Sequence, residues 1–350
     1  MHQQLPPDYR FDRPIIIVAA PRSGSTLLFE TMSHARSLWT IGDESHMVFE
    51  HINALNPAMG ICESNRLSDE HADPNLVERI RQVFLQQLRD PQGRAYGDAA
   101  AEASGKPRFL EKTPKNSLRI PFLNQVFPDA RYIYLFRDPR ENLSSIIEGW
   151  RSSNFVTYRQ LPGWPERWSF LLPPDYQQLQ GKPLEEIVAF QWQAANQFIL
   201  DDLCQLDEER WTALSYAELI SDAQSTLERL CRFADIPFDS HLQAHCEKAL
   251  PLSRYTGTSP KPGKWRKNAA MIERVMPQLQ STIESIQTAV APHTSSAVLL
   301  TEAQEVGEAL ARHPEAPENS PPKRQQGRNE RCHCGSGLRF KHCHGKLPGK

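Results

Sequence analysis

Residues 14–28, PIIIVAAPRSGSTLL, constrain the fold more than any other stretch of this chain. Residues 15–19 are a continuous apolar run rich in β-branched side chains, framed by Pro14 and Pro21, and such a run reads as a strand buried on both faces. Leu27, Leu28 and Met32 follow at helical spacing, so the order is strand, loop, helix. A loop in that position turns backbone N–H groups and the positive end of the helix dipole toward its ligand. Gly24 permits close backbone approach, Ser25 and Thr26 bring hydroxyls to the first helical turn, and Arg22 adds a fixed cation. The Gly-Lys-Ser/Thr ending of a triphosphate loop is absent, and the expected ligand is a phosphate or sulfate oxygen.

The alternation continues. The segment FLEKTPKN reads as a strand end and loop, a helical pattern runs to Phe127, and residues 131–136, RYIYLF, form a second apolar strand. At RDPRENLSSIIEGW the chain turns into a helix, with Asp138 suited to cap it and Pro139 to its first turn. Strands alternating with helices imply a parallel sheet covered on both sides, and the expected class is α/β, a P-loop-like three-layer sandwich with a central parallel sheet. Residues 152–181 are rich in Trp and Pro without clear periodicity and read as a long excursion. Trp164 and Trp168 there suit either an acceptor cleft, where flat rings stack on a substrate, or core packing. A helical pattern returns over 184–206, then WTALSYAEL reads as a late strand.

A second anion grip is visible in LFRDPRENLSS. Arg137 stands at a strand end, and Ser145 stands eight residues on, in the following helix. A guanidinium and a hydroxyl so placed grip a second phosphate. Two grips on one sheet fit a nucleotide with phosphates at both its 5′ and 3′ positions.

With these two motifs in this order, the chain resembles the sulfotransferases that use 3′-phosphoadenosine 5′-phosphosulfate (PAPS), over roughly residues 13–268. APRSGSTLL resembles the 5′-phosphosulfate loop of the Arg-containing branch that includes the tyrosylprotein enzymes, and YIYLFRDPRENLSS resembles the 3′-phosphate motif. The resemblance implies that Arg22, Ser23, Gly24, Ser25 and Thr26 hold the phosphosulfate and that Arg137 and Ser145 hold the 3′-phosphate, without magnesium, leaving 3′,5′-ADP (PAP) as product. Sulfuryl transfer needs a base for the acceptor and cations around the departing phosphate. In TIGDESHMVFE the resemblance assigns the base to Glu44, with Asp43 and His46 as competitors, and in FLEKTPKN it assigns the leaving-phosphate contact to Lys112 beside Arg22. In TSPKPGKWRKN it implies a basic segment over the nucleotide, containing Lys261, Lys264, Arg266 and Lys267. Arg266 is the residue chosen there, and Ser259 the candidate for the family serine. The acceptor is a carbohydrate, lipid, peptide tyrosine or small metabolite. Two rival readings are a P-loop-like small-molecule kinase and a non-catalytic protein that binds through its tail.

That tail reads separately. From Pro321 onward there are eight Lys or Arg and one Glu, about +7 against about −9 for the preceding chain, which reads as a solvated tail or a docking surface for an acidic protein. Cys62, Cys204, Cys231 and Cys246 are scattered in apolar or helical patterns and read as buried thiols. In RNERCHCGSGLRFKHCHGK, Cys332, Cys334, Cys343 and His344 have the donor types of a tetrahedral structural zinc site, with Gly335 and Gly337 easing the turn. The segment resembles the SEC-C zinc motif found at the end of the SecA translocation ATPase. The expected division is 1–312 sulfotransferase domain, 313–327 flexible linker, and 328–350 zinc knuckle. No apolar run reaches the ~18 residues of a membrane span, and the first residues lack a secretory pattern, so a cytoplasmic protein is expected, with no specific nucleic acid binding.

Overall fold

The structure is a computed structural model, and it describes residues 10–99, 105–256 and 263–300. In chain order its elements are β1 (Ile15–Val18), α1 (Ser25–Met32), α2 (His46–Glu50), α3 (Pro74–Gln87), α4 (Tyr96–Ala99), β2 (Leu110–Lys112), α5 (Ile120–Val126), β3 (Arg131–Phe136) and α6 (Pro139–Ser152). There follow β4 (Val156–Tyr158), β5 (Trp168–Ser169), α7 (Leu184–Leu203), β6 (Trp211–Ser215), α8 (Tyr216–Ser221), α9 (Ala223–Ala234), α10 (Ser240–Cys246) and α11 (Ala269–Val290).

β1, β2, β3 and β6 form one sheet in the order β2-β1-β3-β6, every pairing parallel. Successive side chains of a strand point to opposite faces, and here they divide the core in two. Ile16, Val18, Tyr132 and Tyr134 pack into one cluster with apolar residues of α3, α5, α6, α7 and α11. Ile15, Ile17, Ile133 and Leu135 pack into the other with residues of α1, α8, α9 and α10. The expected α/β architecture with a central parallel sheet is therefore present, helices covering both faces.

The strand order positions the site. From β1 the chain leaves through α1 on one face, and from β3 it leaves through α6 on the other. Neighbouring strands whose connections depart to opposite faces leave a crevice at their carboxyl ends, where ligands bind in open parallel sheets. β1 and β3 are those neighbours, paired from Ile15↔Arg131 to Val18↔Tyr134.

Asp138 caps α6, accepting from the backbone N–H groups of Arg140 and Glu141, with Pro139 next to it. Three expectations change. WTALSYAEL is strand only as far as Ser215, whose hydroxyl accepts from Glu218 N in a capping box that starts α8. Over 152–181 the chain forms the antiparallel pair β4–β5 with its own small core. Trp168 is 0% exposed with its indole N–H donated to Leu171 O, and Trp164 is 9% exposed, edge-on to Trp168 at 4.9 Å, so both are packing residues. Cys231 and Cys246 are buried, Cys62 is half-buried, and Cys204 is exposed just past the end of α7 rather than buried.

Candidate active site

The loop between β1 and α1 has a backbone that its sequence only partly announces. Gly24 is the residue before α1 and sits at φ +103°, a region open to glycine alone at low cost. A Cβ there would meet the Tyr216 ring at 2.4 Å. Arg22 also has a left-handed backbone, φ 65°. No side chain caps α1, so the first N–H groups of the helix are left to face the crevice. Ser23 is buried and donates its hydroxyl to Asn142 Oδ1 at 3.1 Å, while Asn142 Nδ2 donates to Pro21 O at 2.8 Å. Asn142 thus ties the loop to α6.

Arg22 and Arg137 converge. Arg137 Nη1 donates to Arg22 O at 3.3 Å, Nη2 pairs with Glu141 at 2.5 Å, and the guanidinium lies over the Tyr216 ring at 4.6 Å. Its Nε is buried without a hydrogen-bond partner. Arg22 Nε points to Ser145 Oγ at 3.4 Å, its Nη2 donates to Tyr255 O, and its guanidinium lies 4.6 Å from the Phe155 ring. Burial, then the repulsion of Arg137, pull the Arg22 guanidinium down to about 10. An anion between the two guanidiniums relieves that repulsion.

The far wall carries the acid and the ammonium. Lys112, 2% exposed at the end of β2, donates from Nζ to Glu44 Oε1 at 2.5 Å and to Thr26 Oγ1 at 3.1 Å, standing between the loop and the carboxylate. Their neighbours in sequence are bonded to each other. Ser45 Oγ donates to Glu111 Oε1, Ser45 N donates to Thr113 Oγ1 at 2.7 Å, and Asn116 Nδ2 donates to Glu111 Oε2 at 2.7 Å. Glu111 is fully buried, and burial pushes its carboxyl up against the opposing pull of those hydroxyls. This network clamps residue 45 onto β2 and so holds Glu44 against Lys112. The competing candidates sit differently. Asp43 accepts from Tyr255 Oη at 3.2 Å, and His46 Nδ1 lies 3.9 Å from Glu44, its imidazole pulled down by burial and by Lys115.

The structure therefore brings Arg22, Ser23, Gly24, Thr26, Arg137 and Ser145 together, with Ser25 buried at the start of α1 and Lys112 and Glu44 beside them. Arg266 stacks its guanidinium 5.0 Å from the Trp265 ring. Lys264 lies within electrostatic reach of Arg137 and Glu141, and burial, then Lys267 and Arg137, bring its ammonium down to about 8. Sequence reasoning missed Asn142, Phe155, Tyr216 and Tyr255 as candidate site residues, and it named Lys264 in the basic segment but favoured Arg266 over it. Asn142 lies three positions before Ser145 and hence on the same helix face, a signal available in advance. Ser259, Lys261, the linker and the cluster Cys332, Cys334, Cys343 and His344 lie outside the described residues. Among the described residues, no group of three or more His, Cys, Asp or Glu is placed to hold a metal, and no helix is long and apolar enough to cross a membrane.

The donor set suits anions of the phosphate or sulfate type. A buried unpartnered guanidinium N–H, an uncapped helix start and a backbone that admits no side chain at Gly24 are what oxygen-rich anions require.

The chain is similar to protein-tyrosine sulfotransferase A of Caenorhabditis elegans, 25% identical over 232 residues that cover 66% of this chain and 52% of that protein. It is also similar to the protein translocase subunit SecA of Azoarcus sp. (strain BH72), 26% identical, covering 94% of this chain and 40% of SecA. The chain thus spans about half or less of the length of these curated relatives. Among solved structures it is similar to the sulfotransferase STF9 from Mycobacterium avium, at 16% identity, a TM-score of 0.45, and coverage of 78% of this chain and 76% of that one. Residues 328–346 match the SEC-C motif. Residues 14–240 match the model of the Sulfotransferase family, well over half of the chain, and the chain belongs to that family.

Proposed function

We propose that this protein transfers a sulfuryl group from PAPS to a hydroxyl or amine of an acceptor. PAPS supplies an activated S–O bond. Glu44 takes the acceptor proton as the acceptor oxygen or nitrogen bonds to sulfur, and the S–O bond to the 5′-phosphate breaks with its electron pair leaving on that phosphate. Lys112 and Arg22 neutralise the charge that develops there, and Lys112, by turning from Glu44 to the phosphate, frees the carboxylate to act. Arg137 and Ser145 hold the 3′-phosphate, Ser23 to Thr26 the phosphosulfate oxygens, and the segment at Lys264 and Arg266 closes over the nucleotide.

The observation that carries this reading is the approach of Arg137 Nη1 to Arg22 O, 3.3 Å, which supports reading the two grips as one site. Calorimetric titration with 3′,5′-ADP tests it. A charge-assisted contact is worth about 1.5–3 kcal/mol, so Arg137→Ala should weaken binding roughly tenfold or more. Equal affinity in the variant, or a preference for magnesium-ATP over 3′,5′-ADP, counts against it. Glu44→Gln should abolish label transfer from sulfur-labelled PAPS while leaving 3′,5′-ADP affinity intact.

We further propose the division 1–312, 313–327 and 328–350, with Zn2+ held by Cys332, Cys334, Cys343 and His344 in the last part. The SEC-C match supports this, and the charge of the tail suits an acidic protein partner. A cytoplasmic location goes with it, because such a shell needs reduced thiolates.

A further inference from the structure

A groove of about 210 Å³ lies between α3 and the segment containing α2, and Glu44 forms part of its wall. Its apolar lining comes from Met47 and Val48 on one side and Ile80 and Val83 on the other. Met47 is 47% exposed, a large apolar side chain open to solvent beside the proposed base. The volume gives room for one ring and a short chain within the groove.

Arg79 sets a guanidinium in the groove's lining, alongside the Glu44 carboxylate and the His51 imidazole. It lies on α3 one turn from Val83, hence on the same face, and it makes no hydrogen bond or ion pair among the described residues. Its helix neighbours are engaged: Arg81 donates to Val126 O and Gln125 O, and Glu78 pairs with Arg10. The groove therefore combines apolar walls, a carboxylate and an unengaged guanidinium. A cationic acceptor is disfavoured by Arg79, and the two Trp rings that a sugar would stack on are packed in the β4–β5 core.

We propose that this groove is the acceptor subsite and takes a compact hydroxylated carboxylic acid, its apolar body against Met47, Val48, Ile80 and Val83, its carboxylate on Arg79, and its hydroxyl at Glu44. The proposal rests on Glu44 being the base of the sulfuryl transfer described above.

The test compares 3-(4-hydroxyphenyl)propionate with its uncharged amide and with cationic tyramine, titrated calorimetrically into the full-length protein saturated with 3′,5′-ADP. The acid should bind at least tenfold more tightly than the amide. Arg79→Ala should erase that preference, and Arg79→Glu should shift it toward tyramine. Arg79 is exposed, so both variants should keep the wild-type melting temperature and 3′,5′-ADP affinity. If 3′,5′-ADP binds while acid and amide bind equally, or neither binds, or Arg79→Ala leaves the preference intact, the acceptor assignment falls alone. If 3′,5′-ADP itself does not bind, the nucleotide reading falls and takes this assignment with it.

Discussion

Gly24→Ala tests the loop geometry on which the proposed nucleotide site depends. The substitution adds one methyl group at φ +103°, 2.4 Å from Tyr216 Cδ2 and 2.6 Å from Cε2. Carbon atoms pack at about 3.5–4.0 Å, so the ring must retreat by roughly 1 Å. Tyr216 is buried and lies under the Arg137 guanidinium, and its retreat moves the proposed 3′-phosphate grip as well. Backbone strain of about 1–3 kcal/mol and overpacking of about 1–3 kcal/mol together give a loss of about 2–6 kcal/mol. Urea denaturation measures the stability share through the midpoint, and titration with 3′,5′-ADP should show at least a tenfold weaker complex. Gly42→Ala is the internal control, since Gly42 has φ +81° with nothing within 4 Å of a new Cβ, so it should show the strain without the clash. Adding Tyr216→Leu to Gly24→Ala should recover the clash share only. A Gly24→Ala protein with wild-type midpoint and wild-type affinity would refute the reasoning.

Three further outcomes are expected. Glu111→Gln places an amide donor among the donors of Ser45, Thr113 and Asn116, so kcat should fall about tenfold with little change in 3′,5′-ADP affinity, a coupling that a double-mutant cycle with Ser45→Ala measures. Lys264, brought down to about 8, loses its positive charge as pH rises through that value. A bound phosphate favours the protonated form, so 3′,5′-ADP affinity should hold below pH 8 and decline above it, and Lys264→Met should flatten that decline. Elemental analysis of the full-length protein should find one zinc per chain that Cys332→Ser or Cys343→Ser removes, with nucleotide affinity unchanged; zinc retained in both variants would rule out this ligand set.

Much of this molecule is written in short-range patterns. The apolar run at 15–19 with a glycine loop behind it, and RYIYLF with Asp138 and Pro139 behind it, identify two strand–helix junctions, because burial on both faces demands continuous apolar residues and, at the second junction, an Asp cap followed by Pro marks a helix start. The same patterns mislead where local preference meets competition. WTALSYAEL is rich enough in apolar residues to extend as strand, yet the Ser215–Glu218 capping box ends it. The Trp residues of the excursion carry no period that separates a cleft from a core, and packing against β5 and Tyr176 decided for the core.

By itself the sequence determined the two strand–helix junctions proposed to bind anions, since backbone N–H groups, a glycine and a strand-end arginine act within a few residues of each other. Only the tertiary structure decided that they share one crevice, because that follows from β1 lying beside β3 with their helices on opposite faces, a matter of strand order that no local period records. The same packing brought Tyr216 under Arg137, Asn142 onto Ser23, and Glu44 against Lys112, contacts between residues far apart in the chain that exist because side chains buried together must satisfy one another's polar atoms.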